Sequence, residues 1–267
     1  MRDFDEASFR GAIWIIAVFA LTLLTAPTVV VFITSFTSTE SLKFPPTGFS
    51  LRWYVELLDS VDLQEMTERS LLVATLASAA AAVLGTLGSL ALARSNNRLA
   101  RVVDSLFMSP LIVPWIAIGL AILLLLSLIG APPSLFTLVA GHTVVCTPFV
   151  LRTTTAGLAQ LDPMLLEASK SLGASWSYSF RRITLPAIAP AIGAGAFLAF
   201  IASFDNVPIS LFLADARFQM LPIRMWQIIQ ADLDPRVASI STVLVVFTFI
   251  LLVLMERLTG VSRRLAR

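Results

Sequence analysis

The single histidine of this 267-residue chain, His142, stands four residues before its single cysteine, Cys146. One of each excludes an intrachain disulfide and a multi-histidine metal centre, so redox and metal chemistry are not expected of this chain. The two lysines, Lys43 and Lys170, lack a glycine-rich phosphate cradle, and no G-x-x-x-x-G-K-S/T run, G-x-S-x-G elbow or H-E-x-x-H helix occurs. The chain is therefore read as no enzyme, and any energy it uses must come from a partner or an ion gradient. What remains are polar groups that interrupt apolar sequence. Asp205, between Ala202-Ser203-Phe204 and Val207-Pro208-Ile209, is costly there unless it faces water, a partner or a cation. It can line a translocation path or cap a helix break, and Asn206 can do either. His142, Thr143 and Thr147 can share one helical face, in a polar helix–helix contact or in contact with a solute. Cys146 reads as a small apolar packer.

The elements that position these residues are membrane helices. With 57% hydrophobic and 13% charged residues and a mean hydropathy of +0.86, the chain is too apolar for an ordinary soluble domain. Six runs are long enough to cross about 30 Å of hydrocarbon at about 1.5 Å per residue. They are Ala12–Phe36, Ser70–Ala93, Val102–Ile129, Ser134–Thr154, Pro186–Leu213 and Val237–Met255. The first exceeds a signal-peptide core and lacks a clear cleavage site, so it is expected to be an uncleaved span. In the fifth, Pro186, Pro190 and Pro208 can kink the helix and Asp205 interrupts it. The expected fold is all-α, a polytopic membrane protein of about six helices forming one domain over residues 1–267. No internal repeat is evident, and the long extramembrane insertions are about Thr37–Glu68 and Asp215–Arg236.

Orientation follows from basic residues. Placing both termini and the second-to-third and fourth-to-fifth loops on one side collects Arg2, Arg10, Arg94, Arg98, Arg101, Arg152, Lys170, Arg181, Arg182, Arg257, Arg263, Arg264 and Arg267 there. Those are 13 of the 19 basic residues, leaving Lys43, Arg52, Arg69, Arg217, Arg224 and Arg236 opposite. The richer side is expected to be cytoplasmic, with both termini in it. The outer side, with Glu40, Glu56, Asp59, Asp62, Glu65, Glu68, Asp205, Asp215, Asp232 and Asp234, is net acidic and would favour approaching cations, subject to salt screening.

A polar segment within the cytoplasmic loop at about 156–185 carries the most specific pattern. Glu167-Ala168-Ser169-Lys170-Ser171-Leu172-Gly173 is followed after nine residues by Ile183-Thr184-Leu185-Pro186. Glu167 to Leu172 favours a short helix, Gly173 a permissive turn and Ala174 to Arg182 a second short helix, with Pro186 at the entry to the next span. Small Ala168 and Ser169 permit close approach, Glu167 can pair with a partner arginine, and Phe180 and Leu172 can anchor the hairpin by burying apolar area. Arg181 and Arg182 mark the membrane boundary. The alternative is an amphipathic hairpin packed on its own chain.

This spacing resembles the E-A-A-x-x-x-G-x9-I-x-L-P loop of ABC-importer permeases, with Ser169 at the second alanine position. Gly48-Phe49-Ser50-Leu51-Arg52-Trp53-Tyr54 is similar to the G-F-S/T-x-x-W-Y element of spermidine/putrescine-type permeases. Ser109-Pro110-Leu111-Ile112-Val113-Pro114, Phe204-Asp205-Asn206-Val207 and Leu221-Pro222 extend the likeness over nearly the whole chain. Trp53 and Tyr54 have a plainer reading as an aromatic anchor at the outer interface, and Pro110 and Pro114 as helix-shaping residues.

The resemblance implies the permease subunit of a type I ABC importer in the bacterial inner membrane. Its partners would be a second permease forming a heterodimer, two copies of a cytoplasmic ATPase, a periplasmic solute-binding protein and membrane lipid, with no nucleic acid. This chain would bind no cofactor, ATP and magnesium residing in the ATPase subunits. Glu167, Ala168, Ser169, Gly173 and Phe180 would form the ATPase-docking loop, and Asp205, Asn206, His142 and Thr143 are candidates for the path. The solute implied is spermidine, putrescine or a related small amine, with a phosphonate or metal ion as alternatives. A gradient-driven secondary transporter would be expected to show inverted repeats or paired intramembrane charges, and neither is visible. A purely structural membrane scaffold would leave the loop spacing unexplained.

Overall fold

The computed structural model describes residues 2–95, 97–215, 218–231 and 234–259, with side chains from 9 to 257 within those ranges. Arg217, Asp232, Arg263, Arg264 and Arg267 lie outside the described residues, as does the side chain of Arg2. The described backbone is helical apart from connecting loops: α1 (Arg2–Thr34), α2 (Arg52–Asp59), α3 (Val61–Leu92), α4 (Arg98–Met108), a 3-10 turn (Ser109–Leu111), α5 (Trp115–Leu128) and α6 (Leu135–Ala159). There follow α7 (Pro163–Ser171), α8 (Trp176–Ser179), a π turn (Phe180–Thr184), α9 (Leu185–Phe204), α10 (Val207–Leu213), α11 (Leu221–Ala231) and α12 (Pro235–Thr259). Among the described residues five helical stretches are long and apolar enough to cross a membrane, or six if the bent pair α4/α5 is one span.

Two compact units divide the chain. The smaller comprises Met1–Val61 and Gln227–Phe247. In it the loop after α1 is closed by a bridge between Thr37 and Phe49, with the Ser50 N–H donating to the Phe36 carbonyl at 2.7 Å. The Trp53 indole N–H donates to the Thr37 carbonyl at 2.8 Å, and the Tyr54 and Ser35 hydroxyls are 2.6 Å apart. These bonds give both rings of the aromatic pair partners within the protein. Trp53 is 5% exposed and turned inward, and Tyr54 lies against Phe36, because the polar handles of both rings find partners at the end of α1. At the start of α12 the Asp234 carboxylate accepts the Arg236 backbone N–H at 2.8 Å and pairs with its guanidinium, capping the first turn.

The larger unit, Asp62–Trp226 with Thr248–Arg267, is built on α6. Leu138, Val145, Cys146 and Val150 of α6 are almost fully buried and form one core with Val73 and Ala81 of α3, Leu126 of α5, Ala199 of α9 and Ile209 and Leu213 of α10. Close approach of α6 and α9 rests on Gly195, where an added Cβ would come 2.2 Å from Thr153 Oγ1 and 2.7 Å from Val150 Cα. Without a side chain there, the Cys146 thiol reaches the Ala199 carbonyl at 3.3 Å. Such small-residue contacts suit helices that cannot be driven together by water.

Three expected spans differ in the structure. The second begins at Val61, since amphipathic residues before Ser70 continue the helix instead of looping. The third is no straight helix: α4 and α5 meet at 103° across the prolines. Pro110 and Pro114 lack the N–H groups a continuous ladder needs, and the Trp115 indole N–H satisfies the Pro110 carbonyl at 3.0 Å. The fifth breaks at Asp205 and Asn206, so α10 is a separate helix, while its membrane stretch starts upstream at Trp176.

Candidate functional site

The polar hairpin is set by local signals at each corner. Asp162 caps α7, accepting the Met164 N–H at 2.9 Å, and Pro163 follows at the first helical position where no donor is required. The helix therefore starts four residues before Glu167, the expected start. Gly173 ends it at φ +78, with its N–H donating to Lys170 O at 2.9 Å and the Ala174 N–H reaching Ser169 O at 3.1 Å. That left-handed turn is open to glycine at little cost. Ser175 then caps α8 through the Tyr178 N–H at 3.3 Å.

The two arms are clasped from within by the hydroxyls of Ser169 and Ser179, 2.6 Å apart and both buried. Ser169 thus faces the second arm, and its small size serves packing inside the hairpin. The outward surface carries Glu167, Ala168, Gly173 and Leu172, and Leu172 is 89% exposed. Leu172 is therefore no anchor within this chain. Phe180, half-buried, stacks on Trp176 with ring centroids 5.5 Å apart, and the Arg94 guanidinium sits 4.7 Å from the Trp176 ring centre. This triple stack ties the loop after α3 to the second arm. An open groove of about 580 Å³ beside the stack is lined by Leu90 of α3 and Leu158 of α6, with Arg94, Leu161, Leu166 and Lys170.

The second set of candidates gathers at the break between α9 and α10. His142, fully buried, has Nδ1 2.8 Å from Ser203 Oγ and Nε2 3.0 Å from Ser210 Oγ. It bridges the last turn of α9 to α10, which is the polar helix–helix contact among its two readings. Thr143 donates to the Val139 carbonyl of its own helix at 2.7 Å. Asn206, 1% exposed, caps α10 by accepting the Ile209 N–H at 2.8 Å, leaving its amide nitrogen buried without a hydrogen bond. Asp205 is exposed, and its carboxylate makes no hydrogen bond or ion pair to any described residue. Capping and exposure are thereby divided between two neighbours that the sequence left interchangeable. Sequence reasoning passed over Ser179, Ser203, Ser210, Trp176 and Arg94. Ser203 and Ser210, polar residues in apolar sequence on either side of the Asp205-Asn206 break, were the available signal for the histidine bridge.

Comparison with known proteins places this architecture. Residues 81–265 match the family model described as "Binding-protein-dependent transport system inner membrane component". The chain is 29% identical over 227 residues to the spermidine/putrescine transport system permease protein PotC of Escherichia coli, covering 85% of this chain and 86% of that one. It is 32% identical over 237 residues to the putrescine transport system permease protein PotI of Escherichia coli, covering 86% and 84%. In fold it is similar to a chain of a bacterial ABC transporter involved in the import of the acidic polysaccharide alginate, with a TM-score of 0.73 at 14% identity and coverage of 100% and 99%. A chain of the MetNI methionine ABC transporter in an inward facing conformation aligns with a TM-score of 0.63 at 17% identity, covering 73% and 94%. The chain belongs to the family of binding-protein-dependent transport system inner membrane components and is a multi-pass permease subunit of the ABC-importer type.

Proposed function

We propose that this permease forms half of the pathway of an ATP-driven importer for a small polyamine, of the spermidine or putrescine class, delivered by an external binding protein. The observation that carries the coupling role is the hairpin, whose internal clasp between Ser169 and Ser179 leaves Glu167, Ala168 and the Gly173 turn facing outward. Two cytoplasmic ATPase subunits, which hold the ATP and magnesium, would seat this surface and that of a second permease. Both termini would lie in the cytoplasm. Closure of the ATPases on ATP would draw the hairpins together and turn the path outward, and hydrolysis would return it inward. The Trp176 stack with Arg94 and Phe180 supports transmission, since it joins the hairpin to the end of a membrane helix.

Likeness to PotC and PotI supports the solute class. So does Asp205, an exposed carboxylate without an ion-pair partner among the described residues, which would meet an ammonium group. The test reconstitutes this chain in vesicles with its partner permease, ATPase and binding protein and follows labelled putrescine and spermidine. The expected result is uptake that requires internal ATP and every component. Ion-driven uptake by this chain alone would overturn the importer reading, and ATP-dependent uptake of a solute other than an amine would overturn the solute class.

A further inference from the structure

The short helix α2 presents three distinct faces. Trp53 and Leu57 point toward the protein, Trp53 being held by its bond to Thr37. Arg52, Glu56 and Asp59 form a charged strip, in which the Arg52 guanidinium bonds Glu56 at 2.8 Å and lies 3.6 Å from Glu40. Leu51, Val55 and Leu58, spaced i, i+4 and i+7, form a third strip and are 62%, 55% and 74% exposed. At about 100° per residue these three fall within one narrow arc, flanked by the charged strip on one side. Phe49, 75% exposed, lies just before the strip in the chain.

The end of a membrane span fixes where this helix sits. The bond between Tyr54 and Ser35 and the packing of Phe36 on Tyr54, with ring centroids 5.2 Å apart, hold α2 beside the last turn of α1. A helix tethered at that depth has water on one side and acyl chains on the other. An apolar strip next to a charged one, with the remaining face fixed to protein, matches the division of environments at a membrane surface.

We propose that α2 is an interfacial helix whose Leu51, Val55 and Leu58 strip, with Phe49, inserts into the lipid of the membrane surface at the end of α1. The adjoining α1 also exposes large apolar side chains, among them Leu23, Leu24, Val29 and Phe32. The charged strip, with the Arg52 guanidinium paired to Glu56 and Glu40 and all three side chains accessible, stays on the water side. The helix thereby sets the height of the loop between the first two spans against the bilayer.

The test uses the complete transporter in vesicles of phosphatidylethanolamine and phosphatidylglycerol, with single cysteines placed by Val55→Cys, Leu58→Cys and Asp59→Cys and labelled with a nitroxide. Cys146 is buried and stays in place. Collision with oxygen, which concentrates in lipid, is compared with collision with a water-soluble nickel chelate. The labels at 55 and 58 are expected to favour oxygen and the label at 59 the chelate. Preference for the chelate at all three sites overturns the proposal. Shielding of 55 and 58 from both reagents also overturns it, since a protein then covers the strip. If Val55→Cys fails to assemble, Leu51→Cys supplies the same measurement.

Discussion

At the residue scale the break between α9 and α10 assigns different work to two adjacent polar groups. Asn206 is buried and caps α10, whereas Asp205 is exposed and uses only its backbone in the turn. Asn206→Ala should therefore lower the thermal stability of the assembled transporter, by about 1 kcal/mol as for loss of a cap elsewhere, read from unfolding in detergent. Asp205→Asn should leave that unfolding unchanged while reducing initial putrescine uptake at matched complex content, because it removes charge and keeps size. A stability loss at Asp205→Asn with normal uptake would reverse the two roles. His142 shows why such assignments escape a linear reading. Its residue type fits a solute site as well as a packing contact, and the partners that decide, Ser203 and Ser210, are 61 and 68 residues away in sequence. The same holds for Ser169, whose role inside the hairpin depends on Ser179 across the turn.

At the scale of elements, local chemistry was legible and tertiary direction was not. The Gly173 turn of the hairpin was legible, whereas the Asp162-Pro163 and Ser175 caps, signals equally local, start its helices at Pro163 and Trp176 instead of the expected Glu167 and Ala174. The third span was legible as apolar but its 103° bend was not, because hydropathy carries no direction even where two prolines mark the corner. Trp53 and Tyr54 were read as an anchor at the outer interface, and the partner of the Trp53 indole was not legible for a related reason: an amphipathic ring suits an interface and an internal bond equally, and only the returning loop at Thr37 supplies the bond. Two predictions belong here. Gly173→Pro would force φ from +78 to about −65° and delete the bond from the Gly173 N–H to Lys170 O. Membrane insertion should persist while solute-stimulated ATPase activity is lost, and retained coupling in an assembled variant would reject the turn as part of the lever. Gly195→Val places branched carbon where even a Cβ meets the backbone of Val150 at 2.7 Å. The expected result is separation of α6 from α9 and loss of folded protein, measured as recovery of monodisperse complex; wild-type recovery would mean the two helices slide apart at little cost.

At the scale of the whole molecule, function depends on surfaces this chain leaves open. The buried core around α6 holds α9 and α10 in place, while the hairpin is closed on itself by serines and exposes Glu167 with Ala168 and Leu172. Under the proposed importer role this surface would be covered by an ATPase subunit, with Glu167 meeting a basic residue of that subunit. Glu167→Arg should weaken association of that subunit in pull-down from detergent, more than Glu167→Ala does. An exposed ion pair contributes only about 0–1 kcal/mol, so deletion alone is expected to be nearly silent, whereas reversal adds repulsion to the loss of attraction. Salt gives the discriminating measurement. Screening at about 1 M shortens the reach of surface charge to about 3 Å, so the deficit of Glu167→Arg should shrink as salt rises while the wild type changes little. A deficit independent of salt would point to the bulk of arginine blocking the close approach that Ala168 allows, and an unchanged pull-down at low salt would remove Glu167 from the interface.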